Sequence, residues 1–133
     1  TYFTAQGQLL ELRKEREDFS LIRYLRDEKA KDRFSEFEVI KISGKNPEAF
    51  LSSFLNIECR VIKTRKLYLY KNTRIHLDEV KSLGKFIELE TLVIKGKGEA
   101  IIRYNHLIKY LDLDPSESIR GSYRDLILGK IKL

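Results

Sequence analysis

A chain of 133 residues has the length of one domain and is long enough for a real core. Its 35% charged residues beside 42% hydrophobic ones exclude a disordered chain, and no run approaches the roughly 18 apolar residues of a membrane span. The net charge of +6 points to an anionic partner, and because Lys and Arg are spread along the whole chain the charge belongs to a fold, not to a nucleic-acid-binding tail. The single cysteine, Cys59, excludes an internal disulfide and fits a reducing, cytoplasmic setting; it reads as a small buried residue at the start of a strand. No stretch reads as a signal peptide, and no ribonucleoprotein motif supports a nucleic-acid partner.

Turn signals cut the chain into short pieces. The chain opens at Thr1 with residues that already read as a strand, as a fragment end would, and Gly7 turns it. Alternation predicts strands over Leu9–Arg16, Phe19–Arg26 and Ser35–Ile42, with a tight turn at Asp18 and a charged loop over Asp27–Asp32. The period then changes. Asn46 reads as an N-cap and Pro47 as the first position of a helix reaching Ile57, with Phe50, Leu51, Phe54 and Leu55 on one face. Cys59–Tyr70, Thr73–Val80 and Lys85–Ile94 read as three more strands, joined by Lys71-Asn72 and by Lys81–Gly84. A second amphipathic helix is expected over Glu99–Leu111, a turn at Asp114-Pro115 and a last helical piece capped by Ser122. Many antiparallel strands with a few helices make an α+β fold.

Residues two apart on a strand face the same way. That parity groups Glu11 with Arg13; Ile22 with Tyr24 and Arg26; Lys63 with Arg65; Arg74 with His76 and Asp78; and Glu88 with Glu90. A half-exposed sheet with a solvated charged face explains these groups. So does a curled sheet whose charged faces grip phosphates with basic groups and hold a hard cation with carboxylates. Periodicity alone does not separate the two.

The run from Arg74 to Glu90, RIHLDEVKSLGKFIELE, resembles a segment of the CYTH domains: a strand R-x-H-L-D-E-V, a short turn, then F-x-E-L-E. Other pieces follow in that family's order. Thr1-Tyr2-Phe3 is similar to D-T-Y-F, Leu10–Glu15 to L-K-L-R-E, and Leu21–Arg26 to L-I-x-Y-x-R. Arg33 and Ser35 match part of G-P-R-x-S, Val61–Tyr68 is similar to V-x-K-x-R-x-L-Y, and Ile119–Ile127 to I-R-G-S-Y-x-D-L. The chain resembles most closely the class IV adenylyl cyclase branch of that superfamily of triphosphate tunnel metalloenzymes.

The resemblance implies an antiparallel β-barrel or tunnel with flanking helices, binding a nucleoside triphosphate or another triphosphate with Mg²⁺ or Mn²⁺. It implies Glu88 and Glu90 as metal ligands with Asp78 as a helper, and Arg13, Arg26, Lys63, Arg65 and Arg74 as phosphate contacts. Arg33, His76 and Tyr24 are further candidates. Two departures accompany it. The E-x-E-x-K strand that the family carries ahead of D-T-Y-F is not found, so the first strand of the tunnel is expected to be missing. The strand near Thr1, or its partner across the seam, then becomes an open edge able to pair with another chain, a second copy included. And where the family has the lysine of L-K-L-R this chain has Glu11, which repels phosphate unless it pairs with Arg13 or binds metal.

Overall fold

A computed structural model describes residues 1–5, 8–24 and 36–133. Gly7, the Asp27–Asp32 loop, Arg26, Arg33 and Ser35 lie outside the described residues. The fold is α+β, with antiparallel sheets and few helices, and it divides into two compact units, Thr1–Arg60 and Val61–Leu133. No helix among the described residues is long and apolar enough to cross a membrane.

The first unit holds β1 (Tyr2–Ala5), β2 (Gln8–Glu15), β3 (Asp18–Tyr24), β4 (Phe37–Ile42), α1 (Pro47–Ser52) and β5 (Asn56–Cys59). Its five strands form one antiparallel sheet in the order β4-β3-β2-β1-β5. The period of two decides what packs. Phe3, Leu10, Leu12, Phe19, Leu21, Ile42 and Ile57 share one face, and Leu51 of α1 and Leu55 close over it. Phe3 and Leu12 are fully or nearly fully buried there; burial of such side chains stabilises by about 1.5–3 kcal/mol each. The opposite face carries Tyr2, Glu11, Arg13, Ile22 and Tyr24.

Several expectations are corrected in this unit. The helix starts as expected, with Asn46 accepting a bond from the Ala49 N–H (3.0 Å) and Pro47 in the first turn, but it stops at Ser52. The hydroxyls of Ser52 and Ser53 donate back to the carbonyls of Ala49 and Phe50, which offers the chain an end to the helix. Of the four apolar residues expected on one face, only Leu51 and Leu55 join the core; Phe50 and Phe54 are 70% and 62% exposed. Ile57 is instead drawn into a strand opposite Phe3. The strand expected from Cys59 to Tyr70 is correspondingly two strands in two sheets, and buried Cys59 closes β5 where it was expected to begin a strand. Because β5 pairs with β1, the strand at Thr1 lies inside its sheet and is not an open edge.

The second unit is a meander of β6 (Lys63–Tyr70), β7 (Thr73–Val80) and β8 (Gly84–Thr91), followed by α2 (Lys97–Tyr110), a 3₁₀ turn at Pro115–Glu117 and α3 (Tyr123–Ile127). Lys71 and Asn72 join β6 to β7 with φ of 42° and 57°, the positive values a two-residue type I′ turn requires. The α2 helix is tied to the strand ends by Arg103, which donates to the carbonyls of Lys71 and Asn72 (3.1 Å each) and of Leu92 (2.9 Å). Ser122 and Asp125 form a reciprocal capping box that starts α3.

Leu12→Ala is expected to lower the unfolding free energy by about 2–5 kcal/mol, as for other buried leucines. Phe54→Ser, at a comparably large but exposed side chain, is expected to stay within about 0.5 kcal/mol. Urea unfolding checks both; comparable losses would mean that the core has been misplaced.

Candidate functional site

In β6, β7 and β8 the pairing register places the expected residues in rows across one sheet face. Arg65 lies opposite Asp78, and Asp78 opposite Phe86. Leu67, His76 and Glu88 form the next row, and Leu69, Arg74 and Glu90 the one after it. Lys63 stands on the same face at the end of β6. Of the expected site residues, Lys63, Arg65, Arg74, His76, Asp78, Glu88 and Glu90 are therefore brought together.

The centre of the face is an ion-pair network. Asp78, whose side chain is fully buried, accepts from Arg65 Nε (2.7 Å) and Nη2 (2.6 Å) in the bidentate geometry that makes Arg–carboxylate pairs strong. Lys63 Nζ lies 3.7 Å away. Arg65 Nη2 also donates to Glu88 Oε2 (2.8 Å), and Arg74 pairs with Glu90 at 3.5 Å. Burial by itself would push the Asp78 carboxyl up, but the bonds from Arg65 and Tyr123 and the Lys63 charge hold it below the usual carboxylate range.

The Tyr123 contact was not anticipated. Its hydroxyl donates to Asp78 Oδ2 (2.8 Å), its ring packs against Phe86 with centroids 5.0 Å apart, and Lys63 Nζ lies 5.1 Å from its ring centroid. The sequence marks it only as the tyrosine of the I-R-G-S-Y-x-D-L resemblance, just after the Ser122 cap in the first turn of a short helix. Parity along a strand says nothing about a residue that arrives from elsewhere in the chain.

His76 is buried beside Glu88 (Nδ1–Oε1, 3.7 Å) and Glu90 (Nε2–Oε2, 4.0 Å), and its Nδ1 is a buried atom without a hydrogen-bond partner. Burial and the Arg65 charge lower its pKa against the pull of Glu88, Glu90 and Asp78.

The other described candidates, Arg13 and Tyr24, lie in the first unit. Arg13 and Tyr24 converge on Glu11, which accepts from Arg13 Nε (2.8 Å) and from the Tyr24 hydroxyl. The Glu11 side chain is only 8% exposed. Burial pushes its carboxyl up, and the Arg13 charge with the two hydrogen bonds more than offsets this, so Glu11 is ionised and paired. Of the alternatives open to a carboxylate at this position, the structure has the pairing with Arg13.

Among the described residues no three or more His, Cys, Asp or Glu side chains are grouped so as to hold a metal ion by themselves. Glu88 and Glu90 still offer hard oxygen donors two residues apart on one face. That donor set fits Mg²⁺ or Mn²⁺, which are held by one or two carboxylates with the remaining positions filled by phosphates and water.

No protein-family model and no curated protein matches the chain. Solved structures do. The PH1819 protein of Pyrococcus horikoshii OT3 is similar with a TM-score of 0.75 and 25% identity, over 98% of this chain and 82% of that one. The PH1012 protein of the same organism is similar with a TM-score of 0.74 and 21% identity, over 94% and 78%. A conserved hypothetical protein from Pyrococcus furiosus has a TM-score of 0.73 and 21% identity, over 94% and 78%. The likeness is one of fold, and the names these proteins carry state no activity.

With its pKa lowered in the folded state, His76 takes up its proton at a lower pH than it does in the unfolded chain, where it titrates at about 6.5. Its contribution is therefore complete above that pH and declines below it. His76→Gln is expected to flatten the dependence of Tm on pH between about 7 and 5; an unchanged slope in the variant would assign that dependence to other groups.

Proposed function

We propose that this chain is a metal-dependent, triphosphate-processing domain of the CYTH type, akin to class IV adenylyl cyclases. In this reading the charged strand faces line a triphosphate tunnel. One observation supports it above the others. The motif-bearing run from Arg74 to Glu90 folds as a hairpin that sets Arg74, His76 and Asp78 against Glu88 and Glu90 on one face, beside Arg65 and Lys63. The sequence resemblance and the pairing register thus select the same residues.

The roles follow from chemistry. Arg65 and Arg74 suit phosphate oxygens, Arg65 being oriented by its bidentate seat on Asp78. Lys63 adds a compact charge near that seat. Asp78 keeps Arg65 in position, and its three donors leave it less suited to a cation than Glu88 and Glu90 are. A divalent cation held by those two glutamates would supply positive charge against the phosphates. Catalysis would rest on positioning and charge neutralisation. In a cyclase the ribose 3′-oxygen attacks the α-phosphorus and pyrophosphate leaves; in a triphosphatase acting on thiamine triphosphate or inorganic tripolyphosphate, water attacks the terminal phosphorus. A non-catalytic anion-binding domain is the second reading, favoured by the pairing of Arg13 with Glu11.

Incubation with ATP or tripolyphosphate and Mg²⁺ or Mn²⁺ separates these. Cyclic AMP with pyrophosphate marks a cyclase, orthophosphate a triphosphatase, and metal-dependent binding without turnover the anion-binding domain. Glu88→Gln with Glu90→Gln is expected to abolish metal-dependent triphosphate binding while changing stability by no more than about 1 kcal/mol, since both side chains are partly exposed. Undiminished metal-dependent binding in the double variant would remove these residues from the site.

A further inference from the structure

Each cation of the candidate face already has a carboxylate beside it: Lys63 and Arg65 have Asp78, Arg65 also has Glu88, and Arg74 has Glu90. An incoming anion must therefore compete with groups of the protein itself.

The two partners of Arg65 are unlike. Asp78 has a side chain with 0% exposure, takes two bonds from Arg65 and one from Tyr123, and cannot leave without stranding a buried charge. Glu88 has a side chain that is 48% exposed and holds Arg65 through one contact of 2.8 Å. Water or another ligand replaces such a partner at little cost. Arg65 thus has a fixed side, seated on Asp78, and an exchangeable side, covered by Glu88. One row further along the sheet, Arg74 and Glu90 repeat the exchangeable pairing at 3.5 Å.

We propose that Glu88 is an internal competitor for the anion: it masks Arg65, and Arg65 in turn masks Glu88, so that triphosphate and divalent cation bind this face with positive coupling. The inference rests on the triphosphate reading above and names the regulation of that same site. Either ligand alone must break the Arg65–Glu88 pair: the cation alone leaves Arg65 with only Asp78, and the triphosphate alone leaves Glu88 with only the His76 ring beside it. When both bind, a single rupture serves both, and linkage requires that each raise the affinity of the other by the same factor. The glutamates are then more than metal ligands, because they keep the guanidinium groups covered until a cation draws them off.

The test is titration of the protein with tripolyphosphate, first without metal and then with Mn²⁺, in the wild type, Glu88→Gln and Glu79→Gln. Glu79 is an exposed carboxylate on the same sheet but on its opposite face, so Glu79→Gln removes the same charge without touching Arg65. Glu88→Gln is expected to bind tripolyphosphate without metal about three- to fivefold more tightly than the wild type, the scale of one exposed ion pair. It is also expected to lose the gain that Mn²⁺ gives the wild type, while Glu79→Gln behaves as the wild type. Equal metal-free affinity in Glu88→Gln and wild type, or an equal gain in Glu79→Gln, overturns the masking and leaves triphosphate binding intact. Absence of binding in all three proteins, with and without Mn²⁺, overturns the triphosphate reading and the masking with it.

Discussion

The fully buried carboxylate of Asp78 has to be compensated, and the arrangement of the second unit follows from how this is done. Arg65 compensates it from the neighbouring strand, which ties β6 to β7 through side chains as well as through the ladder. Tyr123 compensates it from α3, which ties that helix to the sheet, and the Ser122–Asp125 capping box lets so short a helix hold the tyrosine in place. Phe86, opposite Asp78 on β8, supplies the apolar surface against which the Tyr123 ring lies. Side chains from three strands and a helix thus meet around one buried charge, which fixes the direction in which the Arg65 guanidinium faces.

The first unit solves a related problem with a different acid. Glu11 is nearly buried and is held by an arginine and a tyrosine hydroxyl, as Asp78 is by Arg65 and Tyr123. In both cases burial opposes ionisation and the paired donors restore it. A carboxylate where the CYTH resemblance implies a lysine looks hostile to phosphate when the sequence is read one residue at a time. Seen with its partners, the Glu11 charge is balanced by Arg13, and its effect is to hold Arg13 and Tyr24 as a set.

What could be read from the sequence divides along a physical line. Strand parity needs only the alternation of the chain, and it correctly grouped Arg74 with His76 and Asp78, and Glu88 with Glu90. Local chemistry was equally legible: Asn46 and Ser122 as caps, and Lys71-Asn72 as the link between two strands. Facts about partners were not. Alternation runs on unbroken when a chain leaves one sheet for another, so the division of Cys59–Tyr70 between β5 and β6 was invisible. Helical spacing at Phe50, Leu51, Phe54 and Leu55 gave no sign that Ile57 would be claimed by β1. Tyr123 and Arg103 act at a distance of many residues from their partners, on the Asp78 carboxylate and on the strand-end carbonyls, and no local pattern marks such contacts.

The net charge of +6 takes on a different meaning once the pairs are known. On the candidate face Lys63, Arg65 and Arg74 are balanced by Asp78, Glu88 and Glu90, and His76 between them is neutral near pH 7. The excess positive charge therefore lies elsewhere on the chain. Charge spread over a surface attracts anions at long range, and at physiological salt it is screened within about 8 Å. It can raise the rate at which a polyanion arrives, but it cannot hold one in a particular orientation. In the proposed reading orientation comes from the guanidinium groups of Arg65 and Arg74, each of which is paired with a carboxylate. On the triphosphate reading proposed above, such a face would discriminate by valence: a monoanion offers too little to displace a glutamate, while a polyphosphate meets several cations at once and can use each pair it opens.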